Sequence, residues 1–200
     1  MRTRVLAIAT FLGICSLAVA APTATASASR QTPAKIISPS QALDSELGLI
    51  EGEMMGAVRA MPEDKFSFAP TPSIFAPSQQ TQFQGVRTFG QQAIHVAQAN
   101  YSFFAALSGL KPGVNIGAME KLTSKGDIVA ALAGSFRFGH EAIASLTPAN
   151  AFQVLQTNEP GLQTRATLAA FAIAHANDHY GQIVEYLRMN GMVPPASSGH

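Results

Sequence analysis

Leu43, Leu47, Ile50, Met54, Val58 and Met61 recur at steps of three or four residues, with Asp44, Glu46, Glu51 and Glu53 falling on other faces. That spacing lines one side of an α-helix. The residues just before it supply a start: Ser38 can cap, Pro39 suits the first helical position and Gln41 can close a capping box. Pro62 stops it. A second helix is predicted from Val86 to Leu107, apolar around much of its circumference through Phe89, Ile94, Val96, Ala97, Tyr101, Phe103, Phe104 and Leu107, and therefore central. A third runs from Ser124 to Leu146 with Ile128, Leu132, Phe136, Ile143 and Leu146 inward. A fourth runs from Thr164 to Asn190, where Leu168, Phe171, His175, His179, Ile183 and Leu187 form the predicted buried stripe. Gly191 then offers a left-handed cap, and Pro194-Pro195 prevents continuation.

Between the first two helices, Glu63 to Gly85 holds no period, and Pro70, Pro72 and Pro77 keep it extended. Phe66, Phe68, Phe75 and Phe83 give it groups with which to dock, so it reads as a strap across one end of the fold, with a lid as the alternative. Gly109, Pro112 and Gly113 break the chain after helix two. Thr147-Pro148 suits a short helical turn, and Asn158-Glu159-Pro160-Gly161 is a turn signal before helix four. Four long helices without a strand pattern define an all-α fold, a four-helix bundle. The long first connection implies an order other than simple up-down-up-down.

The N-terminus changes the compartment. Arg2 and Arg4 precede an apolar run from Val5 to Val19, and Ala18-Val19-Ala20 offers a small-x-small cleavage site, so residues 1–20 read as a signal peptide. Residues 21–37 read as a flexible leader, 38–195 as the bundle domain and 196–200 as a tail. The protein is expected to be exported, periplasmic or secreted, without a stable membrane anchor, because the apolar run is short and no basic stop-transfer cluster follows it. N-terminal sequencing of native material should read from near Ala21; the full chain recovered from a cytoplasmic fraction would refute export. Cleavage removes Cys15, the only cysteine, which excludes thiolate ligands and cysteine catalysis from the mature chain. Losing Arg2 and Arg4 takes thirteen basic residues to eleven against twelve acidic, so the formal charge moves from +1 to −1. With 12% charged residues and no Lys/Arg cluster, nucleic acid is not an expected partner. A homodimer stays open.

Candidate chemistry concentrates in the segment from His175 to Gln182. Two histidines four residues apart project from one helical face, so both imidazoles can reach a single ion. Placed on an apolar stripe, each would otherwise hold a buried ring nitrogen that costs about 1–3 kcal/mol unpaired. The plainer alternative is one core-satisfied and one surface histidine. For a third ligand the residues leave two choices, His95 on helix two and His140 on helix three. His140-Glu141 has no second histidine with it, so it is not a metalloprotease helix. Asp178 is the nearest carboxylate and suits orientation of an imidazole better than general-base work. Tyr101 and Tyr180 are candidate substrate-side hydroxyls, each otherwise a packing residue.

The run His175-Ala176-Asn177-Asp178-His179-Tyr180-Gly181-Gln182 and its continuation to Pro195 resemble the closing motif of the DinB/YfiT-like family. Arg87-Thr88-Phe89-Gly90, with His95 five residues on, resembles the first-ligand segment of that family. The resemblance covers Gln41 to Pro195. It implies a four-helix bundle with a divalent metal held by three histidines, and it ranks His95 above His140, giving His95, His175 and His179. Members include transferases and isomerases that use bacillithiol or mycothiol. Those thiols are cytoplasmic, and an exported chain departs from that setting. Three imidazoles leave an open position on the ion for water or for a small-molecule substrate, which suits a metal-dependent hydrolase or transferase. Zn is the favoured ion, and Ni, Fe and Cu are compatible with nitrogen ligation. The alternative function is a non-catalytic exported bundle with a structural metal or a ligand-binding role. A structural site would recruit a fourth protein ligand, and Asp178, His140 and Glu141 are the available candidates.

Overall fold

The structure is a computed structural model that describes residues 35–156 and 164–198. The expected signal peptide, most of the expected leader, Cys15 and the predicted turn at Asn158–Gly161 lie outside the described residues.

Four long helices carry the fold: α1 (Pro39–Ala60), α2 (Phe89–Ser108), α3 (Lys125–Ala144) and α4 (Arg165–Met189). Local sequence sets their ends. Ser38 accepts from the Gln41 amide while the Gln41 side chain returns to the Ser38 N–H, a complete capping box with Pro39 at the first position. Ser124 caps α3, and Thr164 caps α4 through a reciprocal bond with Thr167. Gly191 takes the left-handed φ of 75°, and Met192 N–H closes back on the Leu187 carbonyl. Helix α2 starts three residues later than its apolar pattern suggests. Thr88 and Gln91 form its capping box, and a carbonyl-rich strap supplies the partners that a longer helix would have taken from itself.

That strap is the first part of the long connection. The carbonyls of Phe68 and Phe66 accept from the N–H groups of Phe89 and Gly90 at 2.8 and 2.9 Å, satisfying the free amides of the α2 N-terminus. Gly90 permits this approach, since a Cβ there would sit 3.2 Å from the Phe66 carbonyl oxygen. Phe66 is buried against Phe89, and Phe68 meets the Tyr186 ring edge-on. Phe75 and Phe83 instead stack on each other farther along.

The strap lets the bundle depart from sequential order. α2 packs on α3 and α4, and α1 also packs on α3 and α4, so the order around the bundle is α1, α3, α2, α4 and the first two helices lie diagonally. The inward stripes of α1 and α3 are buried as expected, with Leu47, Met54, Val58, Leu132, Phe136 and Ile143 fully enclosed. Gly139 lets α2 and α3 meet closely, because a Cβ there would lie 2.6 Å from the Phe104 ring. Among the described residues the extended pairing is limited to one isolated bridge, Val154 with Thr164, and no helix is long and apolar enough to cross a membrane.

The stripe of α4 differs from expectation at one end. Phe171 is 38% exposed, and Ala169, Ala172, Ile173 and Ala176 are buried in its stead. Each step of four residues turns the helix about 40° past a full revolution, so positions from Phe171 to Leu187 drift through roughly 160° and cannot all face the core.

Glu51 also differs from its expected role as a simple surface charge. On the α1–α3 seam His140 sits between two α1 carboxylates, its Nδ1 bonded to Asp44 at 2.5 Å and its Nε2 to Glu51 at 3.0 Å. Burial opposes the charged imidazole, but the hydrogen bonds and charges of Asp44 and Glu51 outweigh it and raise the pKa. A group with a folded-state pKa above its unfolded value near 6.5 adds stability that is complete below about pH 6.5 and fades as pH rises through the folded value. His140→Ala should therefore lose more melting temperature at about pH 5.5 than at about pH 9. Equal losses at both pH values would show that the pair of ion contacts adds nothing.

Candidate metal centre

The opposite seam, between α2 and α4, brings three of the sequence candidates together. His95 comes from the middle of α2, and His175 and His179 come from adjacent turns of α4. Their ring centroids lie 5.2, 4.7 and 4.6 Å apart. One ligand atom from each lies within 4.8 Å of the others, a spacing close to that of ligands sharing one ion, whose N–metal distance is about 2.0–2.1 Å for zinc.

All three imidazoles are disposed to be neutral, as a cation requires of them. Burial lowers the pKa of His95, with Arg87 and His175 adding to the effect. Burial likewise lowers His175, although Asp178 opposes it. His179, 6% exposed, is pushed down to about 4 by burial first and then by the two neighbouring histidines. The Nδ1 atom of His175 is buried and has no hydrogen-bond partner among the described residues. An unpaired buried nitrogen beside two further imidazoles fits the coordination of a divalent ion.

The surroundings divide into a covered side and an open one. Phe103 and Phe171 pack edge-to-face on each other, and Phe103 meets the His175 ring at 5.5 Å, which explains why Phe171 stays at the rim and out of the core. On the other side His95 reaches a cleft of about 440 Å³ walled by Arg87, Gln91, Gln98 and Glu120.

The remaining sequence candidates fall elsewhere. His140 faces α1 on the far seam, held by Asp44 and Glu51, and is not a neighbour of His95. Glu141 is exposed and does not join the histidine cluster. Asp178 does not touch an imidazole; its carboxylate accepts from Gln182 Nε2 at 3.0 Å. Tyr101 packs on Phe138 and Gly134 of α3, Tyr180 feels the charge of Glu53 on α1, and neither lines the cleft at His95. Both tyrosines are packing residues because their positions lie on other faces of the helices that carry the histidines. Gln92 and Gln182, which bond to each other beside the cluster, were not among the sequence candidates. Gln92 is 3% exposed and accepts from His179 Nδ1 at 2.8 Å. Their only signal in sequence is position, each three residues from a histidine on the same helix.

A four-helix bundle with three histidines converging from α2 and α4 defines a class of protein with a nitrogen-lined candidate metal site at a helix seam. The chain belongs to the DinB superfamily, whose sequence profile matches residues 49–183. A crystal structure of a DinB-family protein from Exiguobacterium sibiricum 255-15 shares the fold, with a TM-score of 0.54 over 78% of this chain and 95% of that one at 15% identity. No curated protein matches the sequence at a significant level.

Proposed function

We propose that the protein is an exported, divalent-metal-dependent hydrolase or transferase acting on a small molecule, with His95, His175 and His179 as the metal ligands. The observation that carries this reading is the convergence of three imidazoles, one ligand atom from each within 4.8 Å of the others, with no carboxylate among them. Asp178 is engaged by Gln182, and His140 by Asp44 and Glu51. Among the described residues neither supplies a fourth ligand, which favours an open coordination position over a closed structural one. A divalent ion bound there supplies a Lewis acid for a substrate oxygen or sulfur.

The chain's own contribution is access and orientation. The cleft at His95 admits a small molecule, and Arg87, Gln91, Gln98 and Glu120 offer it charge and hydrogen bonds. Phe103 and Phe171 cover the His175 side. Zn heads the compatible ions, with Ni, Fe and Cu also suited to imidazole.

The test is metal analysis of the purified mature protein followed by a hydrolase and thiol-transfer screen. Uptake of one divalent ion per chain and a turnover abolished by chelation are expected. Failure to bind any of the four ions would reject the metal reading; binding without turnover in the screen, or turnover indifferent to chelation, would count against the enzyme.

A further inference from the structure

We propose that Asp178, Gln182 and Gln92 form a directional hydrogen-bond relay that fixes the tautomer of His179 and so selects Nε2 as its metal-binding atom. The proposal rests on the metal reading above and adds positioning residues to it.

The direction follows from donor and acceptor chemistry. The Asp178 carboxylate can only accept, so Gln182 presents its Nε2 to it, at 3.0 Å. The other end of that planar amide, Oε1, then faces α2 and accepts from Gln92 Nε2 at 2.7 Å. Gln92 in turn has only Oε1 left for His179, and this atom lies 2.8 Å from Nδ1. The proton must therefore be on Nδ1 and the lone pair on Nε2. Each amide passes the polarity on, because reversing one would set donor against donor or acceptor against acceptor at the next contact.

Burial gives the relay its strength. Gln92 is 3% and His179 6% exposed, so water does not relieve a mismatch at that end, while Asp178 stays exposed and anchors the polarity at the other. Among the described residues neither His95 nor His175 has a hydrogen bond to a ring nitrogen, so of the three imidazoles only His179 has its tautomer set by a hydrogen bond. Partners of this kind alter metal affinity by about 10–100-fold.

Asp178→Lys tests the relay from its exposed end without disturbing the core. A lysine can only donate, which reverses both amides and moves the His179 proton to Nε2. Two-bond ¹H–¹⁵N spectra of the metal-free protein near neutral pH distinguish the tautomers. The wild type should show Nδ1–H and Asp178→Lys should show Nε2–H. Gln92→Glu keeps an acceptor at His179 but gives up the donor to Gln182, which can turn its amide toward the new carboxylate at the expense of the exposed Asp178 contact. The variant should therefore retain Nδ1–H and hold zinc within a few-fold of wild type in a chelator competition. Gln92→Leu should weaken zinc by about 10–100-fold. A wild-type His179 protonated at Nε2, or a tautomer unchanged in Asp178→Lys, would overturn the proposal. Nδ1–H in a wild type that binds no metal would leave the relay standing and reject the metalloprotein reading instead.

Discussion

Met54→Asp should leave no cooperatively folded protein, while Leu49→Asp on the same helix melts like the wild type. Met54 is fully enclosed and Leu49 is 64% exposed. Removing a buried Met side chain costs about 2–5 kcal/mol, and the incoming carboxylate has no partner in the stripe formed by Leu47, Ile50 and Val58 and must be buried neutral or drag water inward. The sum reaches the total stability of roughly 5–15 kcal/mol available to a domain of this kind. The exposed substitution should stay within about 0.5 kcal/mol. Thermal melts by far-UV circular dichroism compare them directly, and coincident melts would mean that the buried face of α1 has been misassigned.

The second large effect is on metal. His95→Ala, His175→Ala and His179→Ala should each lower bound divalent ion sharply, whereas His140→Ala should keep it, since His140 belongs to the α1–α3 seam with Asp44 and Glu51. An ion at a thousand times its dissociation constant adds about 4 kcal/mol to native stability by linkage. Added metal should therefore raise the melting temperature of the wild type and of His140→Ala, and raise it little in the other three. His179→Ala should also melt lower without metal, because it leaves the Gln92 carbonyl oxygen buried without its donor, a loss of about 1–3 kcal/mol. Metal retained in His95→Ala but lost in His140→Ala would reassign the third ligand, and equal metal in all four variants would remove the site.

The helices were legible because their signals are local. Ser38 with Gln41, Ser124 and Gly191 each act within a few residues of their own position, and the structure uses all of them as caps. The pairing of His175 with His179 was legible for the same reason, since residues four apart share a face in any α-helix. The start of α2 was read too early because its true boundary depends on Phe66 and Phe68, about twenty residues upstream, whose carbonyls take the first amides. Phe171 was assigned to the core because apolar spacing does not record how far a long helix has rotated by its next turn.

Which residue joins the histidine pair was beyond the local pattern. His95 and His140 lie beside apolar stripes of different helices, and the residues alone did not rank them; the resemblance to the family did. Helix order around the bundle decides their placement. With α2 diagonal to α1 and adjacent to α4, His95 meets His175 and His179 while His140 is turned toward α1. The contact of Gln92 with His179, 87 positions apart, has the same origin. Helical periodicity specifies the face on which a side chain lies, but burial and packing across the whole bundle choose the helix that face will meet.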